Sequence, residues 1–202
     1  MAFEAQFLFV TFLVDESAVL DAWQWMYDKA QAEGKRLVIN MSWGLYYMGD
    51  LDGTSLLSQA IDNYSDLGVT FVSSAGNNGN PNFHLQHDFA GDTLQTFTQF
   101  YTGGANGQWG QSIHGWGEVG TNYAANIRVL NATNQLVMDS PWYATNTQLT
   151  YLDTFLVVAV GDTLFYNLSM DEVYPTNSRP QMRLRVKIPP SGYKVIFRAT
   201  SA

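Results

Sequence analysis

Apolar and polar positions change their period once along the chain, near residue 80. Residues 5–75 alternate between strand-like and helix-like patterns. The run 7-FLFVTFL-13 is continuously apolar, as a parallel strand covered on both faces is. Asp15 or Ser17 is placed to cap the next helix, where Val19, Ala22, Trp23, Met26 and Ala30 recur at helical spacing and Gly34 supplies the stop. That stripe, aromatics included, reads as core rather than as a ligand box. A second apolar strand, 37-LVINMS-42, leads into a glycine-containing loop. Leu57, Ala60, Ile61 and Tyr64 then mark the buried face of a helix over 54–67 that stops at Gly68, and 69-VTFVSS-74 is the third strand. Strand, helix, strand, helix, strand with short connections predicts a parallel sheet with right-handed crossovers.

After Pro81 the helical period disappears and a period of two replaces it. The clearest case is 182-MRLRVKI-188, where Met182, Leu184, Val186 and Ile188 face one way and Arg183, Arg185 and Lys187 the other. A turn through Pro189, Pro190 and Gly192 leads to 193-YKVIFRA-199, which predicts an antiparallel hairpin. Further strands are expected over 93–101, 122–130, 135–138, 154–160 and 163–168. Short strands at this spacing predict an all-β sandwich. The expected organisation is an α/β domain over 1–80 and a β-sandwich over 81–202.

Composition narrows the function classes. An apolar content of 46% over 202 residues supports a substantial core, and no run approaches the length of a membrane span. No basic-then-apolar leader precedes 7-FLFVTFLV-14, so neither membrane insertion nor an export signal of its own is expected. A formal net charge of −8 argues against general nucleic-acid binding. The charge is uneven: residues 1–80 are strongly acidic, whereas Arg179, Arg183, Arg185, Lys187, Lys194 and Arg198 crowd the last strands. The absence of cysteine excludes disulfides, thiolate metal sites and a cysteine nucleophile, and leaves the compartment open. His84, His87 and His114 are too scattered to define a metal site, although His84 and His87 would share a face if their segment were helical. No cofactor is expected. Asp88, Asp92, Asp139, Asp162 and Asp171 are candidate Ca²⁺ ligands by type only; without a spaced loop motif they read as solvated surface.

Two segments carry candidate chemistry: 38-VINMSWG-44 and 68-GVTFVSSAGNNGN-80, each at the end of a predicted strand with one helix between. Together they closely resemble the subtilisin-like serine peptidases, the subtilases, over about residues 5–80. In that family the first pattern, usually V-I-N-M-S-L-G, lies beside the bound peptide. The second, usually G-V-x-V-V-x-A-A-G-N-x-G, carries the oxyanion-hole asparagine, which maps onto Asn77. The chemistry suits the residue type: acyl transfer passes through a tetrahedral oxyanion, and an amide N–H already aimed at that oxygen lowers the barrier. The resemblance also makes Ser42, Trp43 and Gly44 one wall of the substrate cleft and Ser74, Ala75 and Gly76 the other. Trp43 stands where the family usually has leucine, which leaves specificity open between a narrowed subsite and stacking on an aromatic substrate side chain; read without the family, it is plain core packing. Read without the family, Asn77 and Asn78 are turn residues at a strand end.

The family's nucleophilic Ser, its His base and its orienting Asp belong to D-[ST]-G, H-G-T and G-T-S-M-A segments. None occurs here in the family's order. The G-T-S of 52-DGTSLLS-58 precedes Asn77, so Thr54 and Ser55 read as helix caps, and 114-HGW-116 reads as a loop. The chain therefore reads as an internal piece of a larger secreted peptidase, inactive alone. Its location, secreted or at the cell surface or periplasm, is implied by the resemblance, as is a protein or peptide substrate. A partial sheet would expose an edge, so self-association is expected through residues 5–80. The competing class is a non-catalytic binding protein or pseudo-peptidase. A flavodoxin-like or Rossmann-like ligand domain is a third reading, weakened by the lack of G-x-G-x-x-G.

In the second half, 160-VGDTLFYNLSM-170 and 188-IPPSGYKVIFRA-199 loosely resemble the jelly-roll-like sandwich modules attached to secreted peptidases. Trp109, Trp116, Trp142 and Tyr143 form either a sugar- or peptide-binding platform or part of the sandwich core. A domain that shapes substrate access is the alternative role.

Overall fold

A computed structural model describes residues 4–11, 16–42, 51–76, 84–100 and 109–202. The chain divides into two compact units, Met1–Asn82 and Phe83–Ala202. Among the described residues most regular structure is β, with two α-helices in the first unit.

The first unit runs α1 (Glu16–Ala32), β1 (Val38–Met41), α2 (Leu56–Asp66) and β2 (Thr70–Ser73). β1 and β2 pair in parallel, Val38 opposite Thr70 and Met41 opposite Ser73. The apolar stripe of α1 buries Val19, Ala22, Trp23 and Ala30. Trp23 meets Phe71 and Tyr64 edge-on at 5.1 and 6.4 Å between ring centroids. Val19, Trp23, Ile39, Met41 and Val69 form the core, against which Leu57, Ala60, Ile61 and Tyr64 of α2 pack. Both helices thus cover the same side of the strand pair. Both also end in the same way: Lys35 N–H reaches back to Ala30 O and Val69 N–H to Tyr64 O, with a glycine just before each donor. Ser55 caps α2, its hydroxyl oxygen accepting from Ser58 N–H at 3.2 Å, while Asp52 accepts from Thr54 N–H at 2.9 Å. In α1, Ser17 sits inside the helix, and Asp15 lies outside the described residues.

The strand expected over 7–13 is not formed in its described part, residues 7–11. Phe7 and Phe9 are 77% and 85% exposed and stack on each other at 6.3 Å. A continuously apolar strand needs a neighbour for its N–H and C=O groups and a layer on each face. No strand among the described residues pairs with it.

The second unit contains β3 (Thr93–Thr98), β4 (Gly110–Trp116), β5 (Tyr123–Asn131), β6 (Leu136–Asp139), β7 (Tyr143–Ala144), β8 (Leu152–Ala159), β9 (Asp162–Asp171), β10 (Gln181–Lys187) and β11 (Tyr193–Ser201). They form two antiparallel sheets, β3-β11-β5-β6 with β7 beside β5, and β4-β10-β9-β8. Inward side chains of both share one core, including Ile127, Val129, Val195 and Phe197 from the first and Leu164, Tyr166, Met182, Leu184 and Val186 from the second. Thr145, fully buried, ties the turn after β7 to β5: its hydroxyl accepts from Tyr123 N–H at 3.2 Å.

Two expectations are corrected here. β10 and β11 do not form a hairpin; β10 lies between β4 and β9, and β11 between β3 and β5. Each strand has a buried apolar face, which side-by-side or face-to-face placement satisfies equally. Pro189 and Pro190 also lack the N–H groups of a tight turn, and the chain crosses from one sheet to the other through them. The segment 114-HGW-116 is not a loop but the end of β4. Glycines at 110 and 115 conceal its alternation, and they are required by contact. A Cβ on Gly110 would lie 1.9 Å from Val186 O, and one on Gly115 would lie 2.7 Å from the Tyr123 hydroxyl.

Candidate functional site

Parallel pairing brings the two motif segments together. Because Met41 lies opposite Ser73, Ser42 and Ser74 follow side by side at the carboxyl ends of adjacent parallel strands, the edge where open α/β sheets bind ligands. The ladder continues one step past β2, with Ser74 N–H donating to Met41 O at 3.2 Å. Asn40 Nδ2 donates to Ser42 Oγ at 3.0 Å, and the Ser73 hydroxyl to Ser74 O at 3.3 Å. Ser42, Ser74, Ala75 and Gly76 are exposed. Gly76 has φ +89°, a conformation that side chains with a Cβ rarely adopt, so the backbone turns immediately before Asn77. Trp43, Gly44 and Asn77 lie outside the described residues. The described part of the site is therefore two short, exposed backbone segments that adjoin at the ends of β1 and β2.

Among the described residues nothing packs on the other face of this strand pair. Val38, Asn40, Thr70 and Val72 point away from the helices, with Val38 at 62% and Val72 at 49% exposure. Parallel strands are ordinarily covered on both faces.

In the second unit the four aromatics do not make one platform. Trp109 lies under Arg185 of β10, with the guanidinium carbon 5.1 Å from the ring centroid, and Trp142 lies under Arg198 of β11 at 4.9 Å. These arginines belong to different sheets. Trp116 packs edge-on to Tyr174 at 5.1 Å, and the Tyr143 and Tyr166 hydroxyls share a hydrogen bond of 2.8 Å.

Asp139, read from the sequence as solvated, is half-buried and held by two arginines. Arg128 donates Nε to Oδ1 at 2.8 Å and a guanidinium N–H to Oδ2 at 2.7 Å, and Arg198 reaches Oδ2 at 3.3 Å. The hydrogen bonds from Arg128 hold its carboxyl below the ordinary aspartate range against the opposing effect of burial. Strand register alone makes this cluster, by placing Arg128 opposite Asp139. Of the other aspartates considered as Ca²⁺ ligands, Asp92 contacts His87 Nε2 at 3.0 Å, and Asp171 has its pKa raised by burial. Among the described residues no group of three or more His, Asp or Glu is placed to hold a metal, and no helix is long and apolar enough to cross a membrane. His114 faces outward on β4 beside Arg183, and its pKa is lowered to about 4, first by burial and then by that charge.

The subtilase family model matches residues 1–114, past the motifs and into β4. The chain belongs to the subtilase family. Among solved structures, the CspB protease of Clostridium perfringens is similar at a TM-score of 0.56 and 16% identity, over 92% of this chain and 39% of that one. At that identity the likeness is one of fold, and this chain spans well under half the length of that protease. No curated protein matches.

Proposed function

We propose that the chain is part of a secreted subtilisin-like serine endopeptidase. Residues 1–80 are half of a parallel three-layer α/β catalytic domain, and residues 81–202 are an inserted or adjoining β-sandwich of jelly-roll-like kind. The carrying observation is the side-by-side placement of Ser42 and Ser74 at the carboxyl ends of β1 and β2, in a chain of this family. Ser42, Trp43 and Gly44 form one wall of the peptide cleft and Ser74, Ala75 and Gly76 the other, with Asn77 donating its amide N–H to the oxyanion. The second face of β1 and β2, bare among the described residues, supports a missing third layer.

The mechanism assigned is acylation of a serine and hydrolysis of the acyl-enzyme, with Asp, His and Ser supplied from outside these residues. The isolated chain is accordingly inactive: incubation with casein or a peptide ester should release no product. Hydrolysis abolished by a serine-directed inhibitor would overturn this. In a longer reading frame that carries all three triad segments, Asn77→Ala should lower kcat by roughly 10²–10³ with little change in KM, a cost measured on a subtilisin rather than derived from this geometry. A frame lacking the triad segments would instead favour the pseudo-peptidase reading, with a binding role for the β unit.

A further inference from the structure

We infer that the outer face of the sheet β4-β10-β9-β8 is a docking surface for an extended acidic polypeptide segment that also carries an apolar side chain. The inference concerns the second unit alone and is independent of whether the chain contributes to a peptidase.

The central feature is a row of cations. Along β10, Met182, Leu184 and Val186 are buried and Arg183, Arg185 and Lys187 point outward. Across that face, register places His114, Ser112 and Gly110 of β4 beside the three cations in turn, and Ser169 and Asn167 of β9 on the other side of Arg183 and Arg185. None of these direct partners is acidic; Asp171, the outward acid of β9, lies opposite Gln181, one alternate position beyond the partner of Arg183. Asp153, the acid that faces outward on β8, lies opposite Asn167, two strands from β10 and so about 9.5 Å away. Among the described residues none of the three cations has an ion-pair partner. Like charges on alternate positions of one strand repel, and this occurs in a chain whose net charge is −8.

Two of the cations are also positioned. Arg185 rests on Trp109, and the Lys187 ammonium lies 5.1 Å from the centroid of Phe165. Ring contacts of this kind fix a side chain without consuming its N–H donors, which remain available to carboxylates. Alternate residues of β10 are about 6.8 Å apart, the same repeat as alternate carboxylates on another extended chain. Beside Lys187 is an exposed apolar patch: Phe155 and Phe165 pair across β8 and β9 at 6.1 Å, and Val157 follows on the same face. An occupant with alternating acids and one large apolar residue matches both features.

The test uses the whole chain and a fluorescein-labelled peptide of alternating glutamate and threonine ending in phenylalanine, followed by fluorescence anisotropy at low salt. Binding is expected, weakening as salt is added. The triple variant R183Q/R185Q/K187Q should bind about tenfold more weakly, with its fold verified by circular dichroism. A peptide of the same composition with its glutamates in one block should also bind more weakly to the unaltered chain, a comparison that stands even if the triple variant does not fold. Equal binding of the two peptides, no loss in a folded triple variant, or preferential displacement by dextran sulfate or single-stranded DNA would overturn the proposal.

Discussion

Asp139 takes hydrogen bonds through both oxygens, and its partners Arg128 and Arg198 are themselves mostly covered. Removing the carboxylate leaves two guanidinium groups short of their acceptor. Asp139→Asn should therefore cost about 1–3 kcal/mol at neutral pH, measured by urea unfolding. The pH dependence follows from the direction of the shift. The folded pKa lies below the unfolded one, so the stabilisation is complete above about pH 4 and is lost as pH falls through the folded value. The difference between the two proteins should accordingly shrink in acid; a constant difference down to the lowest pH at which both still fold would contradict this account. None of it was legible in the sequence, where Asp139 looks like any strand-end acid. The eleven-residue separation from Arg128 means nothing until the register of β5 and β6 is known. Ser55 is the opposite case. Its position before an apolar-periodic run was enough to read it as a cap rather than a nucleophile, because capping depends on neighbours three residues away.

At the scale of elements, period decided what was readable. α1, α2, β1 and β2 fall close to their expected positions, since their apolar stripes and stop glycines are local signals. β4 was missed because Gly110 and Gly115 interrupt the alternation, and the reason for those glycines is a tertiary approach. Gly110→Ala would bring a Cβ to 1.9 Å from Val186 O, so β4 must shift from β10. A loss of about 1–3 kcal/mol is expected, with hydrogen exchange speeding up first in β4 and β10. Unchanged protection of those strands would mean that β4 accommodates the methyl group by moving freely. The pairing of β10 and β11 shows the limit of pattern from the other side. Alternation identifies a strand with one buried face, but two such strands joined by a short connection can share a sheet or face each other across a core. Here the core lies between them.

The two units have separate cores, one small and built on two parallel strands, the other closed between two sheets. In the first, Val38 and Val72 lie exposed on the uncovered face, and β1 and β2 pair with no further strand among the described residues. Self-association is the expected outcome for such a surface. Sedimentation should show a mass that rises with concentration, and Val38→Lys with Val72→Lys should shift it toward the monomer; a strictly monomeric parent chain at high concentration would refute this. The sequence by itself determined the change from helical to alternating period, the local helix signals and the two motifs by which the family is recognised, because each depends on residues close together in the chain. Only the tertiary structure decided that Ser42 and Ser74 adjoin, that Asp139 is bound by two arginines, that Trp109 and Trp142 lie under arginines of different sheets, and that three outward cations share a face with no acid directly opposite them. Those facts depend on strand register and on which face is buried, and both are set by packing between segments far apart in the sequence.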